Sequence, residues 1–147
     1  MLSVNRLAAV AAFVGFAFSG TVFADDHPYT EGPVVNVARI RTVDGKREEY
    51  LQWLATKWKA QEEAGKKLGF ILSYQVLTVE PRAPDDPDLL LMITYKNWAA
   101  LDDATKRGDA VLNELHETAS ASSQAQASRA SIRRVLGSST MQILNLK

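Results

Sequence analysis

From Val34 to Val43 apolar and polar residues alternate in the manner of a half-buried β-strand. Val34, Asn36, Ala38 and Ile40 share one side, and Val35, Val37, Arg39 and Arg41 share the other. The first side carries no charge, so it is the expected core face and Asn36 is expected to point inward. Asp44-Gly45 ends the run, with Asp44 as the expected cap of the next element. From Lys46 to Leu68 the period becomes helical. Tyr50, Leu51, Leu54, Trp58 and Ala64 recur at spacings of three, four and their sums, while Lys57, Lys59, Glu62 and Glu63 fall on other faces. Gly69 suits a C-terminal cap, with Phe70 folding back on the last turn.

Phe70 to Glu80 is rich in aromatic and β-branched residues and predicts a second strand, and the proline- and aspartate-containing run Pro81 to Pro87 predicts a loop. Leu89 to Tyr95 is apolar on both sides, which predicts a central strand covered on both faces. Asn97 is placed to cap a short helix, Trp98 to Lys106. Arg107-Gly108-Asp109 then interrupts before a second helical stretch, Ala110 to about Ala130. Ser120 to Ser131 is almost all Ala, Ser and Gln. It has helix propensity but little apolar area to bury, so it reads as a weakly held helix, with low-complexity disorder as the alternative. Ile132 to Leu136 and Met141 to Leu146 predict a last strand, broken or bulged around Gly137 to Thr140.

The order strand, helix, strand, strand, helix, strand is the ferredoxin-like plan, an α+β fold with one antiparallel sheet and its helices on one face. It spans residues 34–147, preceded by an extended arm over 25–33, where two prolines and a glycine argue against a packed element. The plan leaves one sheet face bare. Burying another subunit's surface would help a domain this small, so a homodimer is expected.

The amino terminus changes the picture of where this domain works. Arg6 precedes an apolar run from Leu7 to Phe18, Ser19-Gly20 breaks it, and Val22-Phe23-Ala24 offers small residues for cleavage. Residues 1–24 are therefore expected to be a signal peptide and the mature protein periplasmic or secreted. A membrane anchor is the alternative, but the run is short of the roughly 18 to 20 residues that cross a bilayer. No membrane association is expected after cleavage. Removal of the signal takes away Arg6 and no acid, leaving one basic residue fewer than the original 17 against 17 acidic residues. A nearly neutral chain has no electrostatic footprint for nucleic acid. There is no cysteine, so disulfides and thiolate metal sites are excluded.

Catalytic motifs are sparse. The chain contains no Gly-x-Ser-x-Gly elbow and no phosphate-binding glycine loop, and only two histidines. The pairs Asp25-Asp26, Asp85-Asp86 and Asp102-Asp103 fall in an arm, a loop and a helix start, where solvation and the helix dipole account for them. The aromatics Tyr50, Trp53, Trp58, Tyr74, Tyr95 and Trp98 pack a core at these spacings. Alternatively, part of the set lines an apolar cavity between sheet and helices, with Asn36 and a tyrosine hydroxyl as polar contacts for a small ligand. If processing leaves Asp25 first, the free amine, two backbone nitrogens and the His27 imidazole could surround Cu(II) or Ni(II) in a plane.

The aromatic first helix, Tyr50-Leu51-Gln52-Trp53, and the step Thr94-Tyr95-Lys96-Asn97-Trp98, set in this element order, resemble the dimeric α+β barrel superfamily across almost all of the mature chain. That superfamily includes antibiotic-biosynthesis monooxygenases and EthD-like, NIPSNAP-like and haem-degrading proteins. The chain also resembles a group of exported bacterial proteins with the same plan. The resemblance implies dimers whose sheets pack face to face. Haem-degrading members would match Asn36 and His116, but the tryptophan expected about three turns before the histidine is missing, because 104–110 contains no aromatic. No cofactor is therefore expected. The functional expectation is an exported dimer that binds a small apolar or aromatic ligand. A cofactor-independent monooxygenase using the same cavity and an interaction module without ligand are the alternatives.

Overall fold

A computed structural model of the protein describes residues 27–147; the expected signal segment and Asp25-Asp26 lie outside the described residues. Strand β1 (Tyr29–Thr42) leads into α1 (Arg47–Trp53), a π-helical turn (Leu54–Trp58) and α2 (Lys59–Lys67). Strands β2 (Ser73–Thr78) and β3 (Leu89–Tyr95) follow, then a 3-10 turn (Trp98–Leu101), α3 (Ala104–Glu114), α4 (Ala119–Ser128), a second 3-10 turn (Arg129–Ser131) and β4 (Arg133–Leu146). The four strands form one antiparallel sheet in the order β2-β3-β1-β4. Each helical crossover skips one strand, which is the ferredoxin-like arrangement.

Register fixes what each face carries. Val34, Asn36, Ala38 and Ile40 stand beside Tyr95, Ile93, Leu91 and Leu89, and strand alternation keeps these eight residues on one side. The buried core Ile40, Tyr50, Leu54, Trp58, Leu89, Leu91 and Ile132 forms there, between the sheet and the first helix. Val35, Val37, Leu90 and Met92 occupy the opposite side, which is helix-free among the described residues and is continued by the exposed edge residues Leu77 and Met141.

The first helical run stays amphipathic over its whole length because of the π turn. Tyr50, Leu54 and Trp58 are all buried at spacings of four, yet each step of four carries an ideal α-helix about 40° too far round. A wider turn at Leu54–Trp58 absorbs that drift. Thr56 stabilises it locally by donating its hydroxyl to the Gln52 carbonyl at 2.9 Å. The helix then ends as expected at Gly69, whose φ is +75°. The Gly69 amide donates to the Lys66 carbonyl and the Phe70 amide to that of Gly65, the paired bonds of a Schellman cap.

Several local expectations give way to competing interactions. The strand begins at Tyr29, since Tyr29, Thr30 and Glu31 of the expected arm pair with Leu146, Asn145 and Leu144. Pairing resumes at Val34 across a register shift at Gly32, where a Cβ would lie 3.0 Å from the Ile143 carbonyl. Asp44 caps nothing: the helix starts after Lys46 without a side-chain cap. Asp88 takes over as the pin at this corner. Buried, it accepts from the Thr42 amide at 3.0 Å and from the Thr42 hydroxyl, and meets Arg47 at 3.3 Å. Asn97 does cap, but only a 3-10 turn. The expected interruption at Arg107-Gly108-Asp109 lies inside α3, and the break falls instead at Asp103, with φ +54°.

The long second helix also divides, because α3 ends on His116. Its φ of +54° is the left-handed conformation, and the His116 and Glu117 amides bond back to Asn113 and Leu112 as in a glycine-terminated helix. Thr118 then starts α4 by accepting from the Ala121 amide at 3.2 Å. A non-glycine residue in that conformation costs roughly 1 kcal/mol. His116→Gly is therefore expected to raise stability by about 1 kcal/mol, less whatever the unfolded chain gains in freedom. Urea unfolding of the two proteins measures this, and a loss of stability would show that the imidazole makes a contact that outweighs the strain.

Candidate functional site

A cavity of about 350 Å³ opens between the sheet and the helices at the Tyr95 end of β3. Ile93 and Tyr95 form its floor, Gln61, Glu62 and Gly65 of α2 one wall, and Ala104, Arg107, Gly108, Val111 and Leu112 of α3 the other. Phe70 and Ile71 close one end, and Ser122 of α4 reaches in from the side. The α3 wall repeats at three and four residues, so a single helix face supplies it. Room exists because Gly65 and Gly108 lack side chains; a Cβ on Gly108 would meet nothing within 4 Å.

Besides Gln61 and Ser122, three ionisable groups interrupt the apolar lining, Glu62, Tyr95 and Arg107. Glu62 continues the inward stripe Tyr50, Leu54, Trp58 by one more step of four. Its carboxyl has no hydrogen-bond or ion-pair partner among the described residues, and burial pushes its pKa up from 4.5 to about 7. A carboxyl in that position keeps its proton in weakly acidic solution and is a donor as well as an acceptor. Burial likewise raises the Tyr95 phenol, helped by the Glu62 charge and opposed by Arg107. The Arg107 guanidinium lies 5.9 Å above the Tyr95 ring and is anchored where Nη2 donates to the Leu101 carbonyl at 3.0 Å. Its Nη1 is buried and has no acceptor among the described residues. The cavity thus presents one held cation, one desolvated carboxyl and one phenol within apolar walls.

Of the residues singled out from sequence, Tyr95 lines this cavity. Tyr50, Trp53, Trp58 and Tyr74 form a neighbouring aromatic cluster. Tyr50 and Trp53 stack at 5.7 Å, Trp58 meets Tyr74 edge-on at 5.3 Å, and Arg129 lies 4.2 Å above Trp53. The Tyr74 hydroxyl bonds to Glu63 at 2.6 Å, which pushes its pKa up to about 12. Asn36 is half-buried on the helix side of the sheet and donates to the Thr140 hydroxyl at 2.8 Å. Trp98 is 48% exposed and donates to Gln142 at 3.0 Å. His116 is the exposed helix stop described above. His27 stacks on Tyr29 at 5.3 Å; the two residues before it lie outside the described residues. Among the described residues no group of three or more metal-ligating side chains occurs, and no helix is long and apolar enough to cross a membrane.

Glu62, Arg107 and the two glycines were missed from sequence. Glu62 was assigned to an outer face because a regular helix turns it away, and only the π turn brings it inward. The readable signal was an acid at the fourth step of an otherwise apolar stripe.

The unpartnered Glu62 makes stability depend on pH. Below about 4.5 the folded and unfolded chains both hold the proton; as pH rises to about 7 the unfolded chain ionises first, and stability falls. Above that range the loss is constant. Glu62→Gln removes the ionisation, so its stability relative to wild type should rise by roughly 1 to 3 kcal/mol between about pH 4 and about pH 8. Urea titrations at the two pH values measure it, and an unchanged difference would mean that the carboxyl is fully solvated.

Comparison of the sequence with protein-family models and with curated proteins finds no match. Among solved structures, the crystal structure of HapK from Hahella chejuensis is similar, with a TM-score of 0.49 and 16% identity over 74% of this chain and 90% of that one.

Proposed function

We propose that this is an exported protein that binds a small apolar or aromatic molecule between its sheet and its helices. The observation that carries the reading is the cavity of about 350 Å³, walled by Phe70, Ile71, Ile93, Val111 and Leu112 and containing only a few polar groups. Small-ligand sites have this size and this mixture of apolar walls and sparse polar contacts. The three-part amino terminus supports export. The helix-free sheet side supports assembly as a homodimer, of the kind the dimeric α+β barrel resemblance implies. Val35, Val37, Leu90 and Met92 give that side an apolar centre, with exposed Leu77 and Met141 beside it, and burial of such area is what drives association.

Native mass spectrometry of the full chain expressed with its own leader and purified from the periplasm tests all three parts. The expected species is a dimer whose subunits begin at Asp25 and which takes up added 2-naphthol. Val111→Trp, which fills the cavity, should abolish that uptake without changing the subunit number. A wild-type protein that takes up no more naphthol than Val111→Trp would overturn the binding reading.

Val37→Asp places a charge at the centre of the bare sheet side, where desolvating it on association is unfavourable. It should convert the dimer to monomer in the same spectra; a dimer unaffected by this change would overturn the sheet-to-sheet assembly.

A further inference from the structure

We propose that the ligand of this cavity is an apolar molecule ending in a single carboxylate, which Arg107 receives. The inference rests on the binding reading above and adds the chemistry of the head group. Among the described residues Arg107 is the only cation lining the cavity, and it has no carboxylate partner. The guanidinium is not free to seek one. Its Nη2 donates to the Leu101 carbonyl at 3.0 Å, which holds the guanidinium in the lining with Cζ 5.9 Å from the Tyr95 ring centroid.

Charge balance selects the acceptor. The one acid in the lining, Glu62, has no cation beside it and stays neutral in weakly acidic solution, and Tyr95 is neutral as well. The cavity then carries one positive charge, which one carboxylate neutralises. A phosphate dianion would bring two negative charges to a single guanidinium and to a carboxyl that has none to offset. A neutral ligand would leave the guanidinium unpaired. The protonated Glu62 and the Tyr95 hydroxyl can each donate to the second carboxylate oxygen, and the walls Phe70, Ile93 and Val111 hold the apolar body.

Calorimetric titration of the processed protein with 2-naphthoate and with its neutral isostere 2-naphthamide, below the pH of about 7 at which Glu62 loses its proton, tests this. Naphthoate is expected to bind at least about tenfold more tightly than the amide. Arg107→Met should bring naphthoate to the level that the amide shows in the same variant, and Val111→Trp should abolish binding of both. Equal wild-type affinities for acid and amide would overturn the carboxylate assignment and leave the cavity as a binding site. A preference for the acid that survives Val111→Trp would place the anion elsewhere and overturn the assignment too. No binding of either compound would overturn this inference together with the reading on which it rests. The wild-type comparison decides the question even if Arg107→Met does not fold.

Discussion

A carboxyl taken out of water with no cation beside it keeps its proton to higher pH, and the arrangement around Glu62, whose pKa is pushed up to about 7, follows from that constraint. The residue is in this position because of backbone geometry several residues earlier. Tyr50, Leu54 and Trp58 bury their side chains at spacings of four, the π turn keeps that stripe facing the sheet, and the next step of four is Glu62. A regular helix would have carried it about 120° round over the same span. π turns are often found at functional sites because they re-aim a side chain without breaking the helix. Here the re-aimed side chain is the only acid in the cavity lining among the described residues.

Space for a partner comes from the opposite kind of local cost. Glycine inside a helix is less favourable than alanine by about 1 kcal/mol, and Gly108 sits within α3 with nothing within 4 Å of where its Cβ would be. Packing does not require that glycine; the open volume does. The side wall is also the least firmly held. No residue of α4 is buried, yet Ser122 of that helix lines the cavity. Segments with few buried apolar contacts open at the lowest free energy. Entry beside α4 therefore disturbs the core less than entry past Tyr50 or Leu54, which are 1% and 3% exposed.

The parts of the fold legible in the sequence are those where one local signal acts alone. The alternation Val34 to Ile40, the doubly apolar run Leu89 to Tyr95 and the cap at Gly69 all recur in the structure, because pleat, burial and a positive φ act there without competition. Legibility ended where a neighbour distant in sequence supplied the deciding contact. Asp44 looked like the cap, but buried Asp88, more than forty residues away, holds that corner through Thr42 and Arg47. Arg107-Gly108 looked like a break because glycine and a charge cluster usually mean one. In the fold the arginine is tied to Leu101 and to the face of Tyr95, and the helix runs through. Both omissions mattered for the site, since the residues taken as punctuation supply its cation and its empty volume.

Strand alternation keeps the two proposed uses of the sheet apart. Ile93 and Tyr95 face the cavity, while Met92 and Thr94, their neighbours along the same strand, face the bare side. A substitution on the bare side therefore changes no cavity-lining side chain, and one in the lining leaves the apolar patch of Val35, Val37, Leu90 and Met92 intact. Communication between the faces has to pass through the strand backbone, which pairs on both sides, with β1 and with β2. A backbone bonded on both edges moves little, since each displacement lengthens hydrogen bonds to two neighbours at once. Assembly and ligand binding are separable on this ground, so a monomeric variant that retained its cavity would still present the same guanidinium, carboxyl and phenol.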